Sequence, residues 1–334
     1  MNLSVEDRID WLLSGDVSIQ YQTRRDLLDS DERQLRERIA AEGWGAGFLS
    51  SRGRNGHWGR SYYQPKWTST HYTLLDLKNL AISQATESIQ RTVQIVLEHE
   101  KGEDGGINPA VTVAQSDVCV TGMFLNVACY FRAAEQALHS LVDFILSQQL
   151  EDGGFNCNFN RSGAVHSSLH STLSVIEGIN EYTQNGYSYR LQALQRAERE
   201  SREFILRHRL FRSDHSGEVI DGKMLMLSYP SRWRCDILRA LEYFRAAGVG
   251  YDTRMEDAII VLLKKRRSDG SWPLQARHPG QTHFEMEPTG APSRWNTLRA
   301  LRVLRAFAGY PRSPAAASRL AGAFDPSDSG NPQI

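Results

Sequence analysis

Neither sign of charge dominates this sequence: 39 Lys and Arg face 39 Asp and Glu. That balance argues against a dedicated nucleic-acid binder, which concentrates a basic surplus on one face. No apolar run approaches the roughly 18 residues of a membrane span, so no integral membrane segment is expected. Met1–Asp10 lacks the basic-then-apolar order of a secretory signal. Only four cysteines occur (Cys119, Cys129, Cys157 and Cys235), none in a CxxC pair, so no disulfide framework is expected. β-branched alternation is scarce, and Pro and Gly fall between apolar stretches, not inside them. These absences leave a soluble, cytoplasmic, helical protein as the expectation. With 40% hydrophobic residues in 334, the chain can bury a substantial core.

What is present is a repeat. An apolar helix end leads to a Gly-containing turn, an aromatic or aliphatic residue, a loop and another apolar helix. Phe48-Leu49 leads to Gly56-His57-Trp58, and Val96-Leu97 to Asp104-Gly105-Gly106-Ile107. Phe144-Ile145 leads through Gln149 to Asp152-Gly153-Gly154-Phe155, and Leu262-Leu263 to Asp269-Gly270-Ser271-Trp272. A degenerate copy runs from Phe204-Ile205 to Asp214-His215-Ser216-Gly217. Gly supplies the positive φ of the turn, and the aromatic after it is expected to pack back on the preceding helix.

Apolar spacing of 3 and 4 fills the intervals and predicts six helix pairs. The first helices fall at about 3–13, 31–49, 84–100, 134–149, 191–210 and 252–267. The second helices fall at about 18–28, 68–80, 117–132, 167–182, 231–246 and 293–307. The second set is less charged and apolar around much of its circumference. An open stack would leave one of those faces wet, and no polar capping repeat ends the array. The expected fold is therefore all-α, a closed (α/α)6 toroid over residues 1–309. Residues 310–334, rich in Pro, Ala, Ser and Gly, read as a mobile tail.

The Gln149…Asp152-Gly153-Gly154-Phe155 segment resembles the QW repeat of squalene–hopene cyclases, and similar Gly-aromatic repeats occur in the β subunits of protein prenyltransferases. The resemblance to this terpenoid cyclase and prenyltransferase superfamily implies a six-hairpin toroid whose inner-helix N-terminal ends face a substrate cavity. It does not imply a reaction. The DxDD acid motif and the DDxxD diphosphate motif of terpene cyclases are both absent. The nearest string, Asp29-Ser30-Asp31-Glu32, reads as a helix cap with first-turn acids.

Three constellations carry candidate chemistry. Asp117 and Cys119 open the third inner helix, and His166 and His170, four apart, open the fourth. Carboxylate, thiolate and imidazole suit Zn²⁺. The prenyltransferase resemblance assigns Asp117 and Cys119 to a zinc triad, with His166 or His170 as the third ligand and Cys157 in reserve. The competing reading makes Asp117 a cap, Cys119 a small buried side chain and the histidines packing residues.

The second constellation repeats a cation beside an indole: Lys66-Trp67, Arg232-Trp233 and Arg294-Trp295, with Tyr229 before the second. Converging helix N-termini and these cations would make an anion-binding mouth, and the aromatics an apolar pocket. An amphipathic anion such as a prenyl diphosphate fits that description. Arg stacked on Trp as a structural wedge is the alternative. The third is a carboxylate pair, Asp236 and Glu285, for acid–base work on a sugar. The leading expectation is binding or zinc-assisted transfer of an isoprenoid-like anion. A carbohydrate lyase or hydrolase and a non-catalytic scaffold are the rivals.

Overall fold

The computed structural model describes residues 5–110 and 114–307, so the stretch expected as a tail lies outside the described residues. Helices dominate. In chain order they are α1 (Val5–Leu13), α2 (Val17–Leu27), α3 (Arg33–Arg38), α4 (Gly43–Ser50), α5 (Thr70–Asn79), α6 (Glu87–His99) and α7 (Val118–Tyr130). There follow α8 (Glu135–Ser147), α9 (Phe159–Ser162), α10 (Leu169–Gln184), α11 (Leu191–Arg207), α12 (Ile237–Ala246), α13 (Glu256–Lys264) and α14 (Arg294–Phe307). The only sheet among the described residues pairs β1 (Trp272–Pro273) with β2 (Pro292–Ser293), antiparallel. No helix among the described residues is long and apolar enough to cross a membrane.

The pairs follow the apolar pattern closely. In α8, Leu138, Leu141, Val142 and Ile145 are buried on one face, while α7 and α10 are buried on most sides. Those two helices meet at van der Waals range because both carry glycine at the crossing: a Cβ on Gly178 would lie 2.3 Å from the Gly122 carbonyl oxygen. Two boundaries differ from the expectation. The single helix expected over 31–49 breaks, because Asp16 accepts the Trp44 N–H at 2.9 Å and Gly43 turns at φ +57°, starting α4 afresh. The fifth second-helix, expected from 231, starts only at Ile237. Arg232 sits at φ +56°, outside helical range, and Asp236 caps the new start.

The repeat is a hydrogen-bonded staple. In four copies the turn residue's backbone N–H donates to a threonine hydroxyl in the helix that follows. The pairs are Trp58 to Thr70 (3.0 Å), Ile107 to Thr121 (2.9 Å), Phe155 to Thr172 (3.0 Å) and Trp272 to Thr297 (2.9 Å). The turn glycines Gly56, Gly105, Gly153 and Gly270 all have φ between +82° and +94°. As expected, the indoles reach back: Trp58 Nε1 donates to Phe48 O at 2.6 Å and Trp272 Nε1 to Leu262 O at 2.7 Å. Aspartates tie two turns to the next helix entry, Asp104 accepting from Ser116 N and Asp152 from Ser167 N, each at 2.8 Å.

The last helix packs against the first pair. Arg294 donates to Trp11 O at 2.9 Å, and Arg302 spans to Gln22 and Asp26 of α2.

Candidate functional site

The six second-helices, α2, α5, α7, α10, α12 and α14, all contribute to the lining of one cavity of about 660 Å³. Part of its walls comes from the C-terminal halves of α5, α7 and α10 and from Ala81, Gln84 and Asn185 just past helix ends, and α2, α12 and α14 supply much of the rest. Tyr72, Tyr229, Arg232 and Trp295 line it from the N-terminal side, with Tyr229 stacked on Trp295 at 4.8 Å.

The lining is charged. Eight basic side chains (Arg25, Arg36, Lys78, Arg232, Arg239, Arg245, Arg299 and Arg302) meet six acids (Asp26, Asp31, Asp76, Glu177, Glu181 and Glu242). Aliphatic side chains are limited to Leu75, Ala81 and Ala246. Most charges are paired. Arg239 grips Glu177 with two bonds at 2.9 and 2.6 Å, Lys78 meets Glu181 at 3.0 Å, and Glu242 accepts from both Arg299 and Arg302. Asp26 takes Arg25 at 2.6 Å and Arg302 at 3.1 Å. Burial works against the charge on Glu242, but Arg299 and Arg302 overcome it and hold its carboxyl at about 2.

Asp76 behaves differently. Burial pushes its carboxyl up to about 6, against the pull of Arg232, which binds Oδ2 at 2.6 Å. Its Oδ1 accepts no hydrogen bond from the described residues, and the residue lines the cavity. A carboxyl poised near neutrality with a free oxygen in a cavity is equipped to move a proton.

At the opposite ends of these helices the loops close over. Lys66 Nζ lies 5.0 Å from the Trp67 ring centroid and 5.4 Å from that of Trp233, and Arg232 stands 5.4 Å over Trp67. Thus Lys66, Trp67, Arg232 and Trp233 are brought together. Arg294 turns instead to Trp11, 4.7 Å over its ring, while Trp295 joins Tyr229 at the cavity. Much of this end is structural packing: Trp67 Nε1 donates to Pro279 O at 2.6 Å, and Arg232 is the counter-ion of Asp76. Phe48, Trp67, Tyr229 and Phe284 leave only a small space of about 50 Å³ there.

Asp117, Cys119 and Cys157 place their ligand atoms within 4.8 Å of one another. Asp117 caps α7, its Oδ1 accepting the Cys119 N–H at 3.1 Å and the Cys119 thiol at 3.0 Å. Contact with Cys157, then burial, raises the Cys119 thiol well above its ordinary range. The two histidines lie outside this group. His170 Nδ1 accepts the Cys235 N–H at 2.8 Å with its ring edge-on to Trp233, and burial lowers it to about 4; His166 is exposed. Cys157, the expected reserve, stands in this group where a histidine was expected.

Asp236 and Glu285 are not in the cavity lining. Asp236 accepts the Arg239 N–H at 2.9 Å as the cap of α12, and Glu285 pairs with Arg277 at 2.8 Å on the surface.

Of the cavity lining the sequence reading named Tyr229, Arg232 and Trp295 and missed the charged remainder, although its signal is present. Glu177, Asn180, Glu181 and Gln184 mark one stripe at spacings of 3, 4 and 7 on an otherwise buried helix, and Arg239, Glu242 and Arg245 form a second at spacings of 3 and 6. A polar stripe on a helix with buried flanks faces an internal cavity. The sequence matches no protein-family model and none of the curated proteins searched.

Proposed function

We propose that the helix pairs close into an (α/α)6 toroid and that its central cavity binds and transforms a hydroxyl-rich ligand of the carbohydrate class. One observation carries this reading: six helices surround one cavity of about 660 Å³ walled by ionised, amide and phenol groups. Sugars present alternating donors and acceptors that such walls satisfy, and the Tyr229 and Trp295 rings offer faces for C–H groups. An isoprenoid chain would strand these polar groups against hydrocarbon, which is costly. The contact of α14 with α1 and α2 supports closure.

In this scheme Asp76 transfers the proton, acting as acid when protonated and as base when ionised, and Arg232 positions it. Asp76 takes the role that the sequence reading gave to Asp236 and Glu285. The test is a panel of neutral and acidic oligosaccharides followed by chromatography of products. Asp76→Asn is expected to keep ligand affinity and lose roughly 10²–10⁴ in turnover. No saturable sugar binding at about 10 mM would overturn the reading.

A second reading belongs to the other helix ends, where Asp117, Cys119 and Cys157 offer a donor set that fits Zn²⁺, with the charge of Lys66 nearby. When bound there, zinc would supply an activated thiol or water for transfer to an amphipathic anion. Metal analysis of protein purified without added zinc tests it. About one zinc per chain, lost in Cys157→Ser, is expected; less than about 0.2 refutes it.

A further inference from the structure

The cavity holds one cation that its own walls do not satisfy. The Arg245 side chain, near the C-terminal end of α12, donates no hydrogen bond and makes no close ion pair with the described residues: its Nε is buried without a partner, and Glu242 and Asp26 act on it only from a distance, opposed by Arg302. Neighbouring carboxylates are already committed. Glu242 serves Arg299 and Arg302, and Asp26 serves Arg25 and Arg302. The basic excess over acids in the lining has only one other outlet, Arg36, which gives its protons to the Ala81 and Ile82 carbonyls and the Tyr130 hydroxyl. Protein interiors rarely leave a guanidinium unpaired, because taking it from water is expensive without an acceptor.

We infer that Arg245 is the anion subsite of the cavity and that the ligand bears an oxyanion, a carboxylate or a phosphate, seated on its guanidinium fork. The fork presents parallel N–H donors that match either group, and charge-assisted bonds of this kind are the strong ones. The inference deepens the carbohydrate reading and rests on it for the sugar part alone. The substrate class is then a sugar acid or a sugar phosphate. A neutral glycan would offer the terminal guanidinium nitrogens hydroxyl acceptors but no opposite charge, and so would leave the cation uncompensated.

Two measurements separate this inference from the reading beneath it. In the first, the Arg245 Nε–H resonance is followed by NMR while acetate or inorganic phosphate is added to the full chain. A saturable shift is expected, larger for acetate if the ligand is a carboxylate and larger for phosphate if it is a phosphate ester. No shift up to about 50 mM of either ion overturns the subsite, whatever sugars do. In the second, glucuronate, glucose 6-phosphate and glucose are titrated into wild type, Arg245→Gln and Arg245→Lys. At least one charged sugar should bind wild type about ten-fold or more tighter than glucose, Arg245→Gln should lose that margin, and Arg245→Lys should keep part of it. Equal binding of charged and neutral sugars to wild type, or an undiminished margin in Arg245→Gln, overturns the inference. An anion-induced shift with no sugar bound supports the subsite and counts only against the carbohydrate reading.

Discussion

The two ends of the second-helices are built on opposite principles. At the N-terminal ends four turns are stapled to threonines, indoles are wedged against the preceding helices, and little space remains. Toward the C-terminal ends the same helices part around charged side chains that pair across the cavity. Neutral hydrogen bonds and buried aromatics hold one end. Ion pairs that need a counterpart from another helix hold the other. The difference teaches that the repeated motif is a fastening, and that the charged groups gather where the repeat is silent.

The comparison breaks most directly at its packed end. Trp272→Ala removes a fully buried indole and its bond to Leu262, and should cost about 3–5 kcal/mol in urea unfolding. An effect below 1 kcal/mol would make the staple ornamental. At the charged end, Glu242→Gln leaves Arg299 and Arg302 facing each other without their carboxylate and should cost about 3 kcal/mol. A third step sharpens the contrast: Thr172→Val deletes one staple acceptor, leaves the Phe155 N–H unbonded, and should cost about 1–2 kcal/mol by thermal unfolding.

The pH dependence is smaller and its sign can be worked out. Asp76 and Asp236 are both raised by burial to about 6 from 3.8. Their contribution to stability is full below 3.8 and is lost as pH rises through about 6. His71 and His170, lowered by burial to about 3 and 4, act oppositely; their contribution is full above 6.5 and is lost as pH falls. The difference between wild type and Asp76→Asn isolates the first effect: relative to the variant, wild type should lose stability between about pH 4 and 6 and level off above. A flat difference would place Asp76 in water. The smallest change is expected for Arg245→Gln, within about 0.5 kcal/mol of wild type in the absence of ligand, because no protein partner is lost.

Much of the helix ladder was legible in the sequence because apolar spacing of 3 and 4 reflects burial directly. It found both members of each pair and the turn glycines. It missed the break before α4, since that break depends on Asp16 reaching Trp44 across 28 residues. The candidate site was less legible. Cation–indole pairs such as Lys66-Trp67 stand out in the text of the sequence, yet they mark packing as much as binding. Asp117 and Cys119 were found, but their partner Cys157 comes from the loop before the next helix, and only the folded chain measures that approach. Asp76 and Arg245 were overlooked because a few charged residues on a buried helix look like noise until the stripes of six helices are seen to converge.

The Asp26–Arg302–Glu242 network joins α2, α14 and α12, and so ties the start of the described chain to its end through buried charge. Linear helical arrays fray from their extremities, where one neighbour is missing. Here the outermost hairpin has a neighbour on both sides, so amide protons in α2 should exchange with deuterium as slowly as those in α10, through opening of the whole molecule and not of a loose margin.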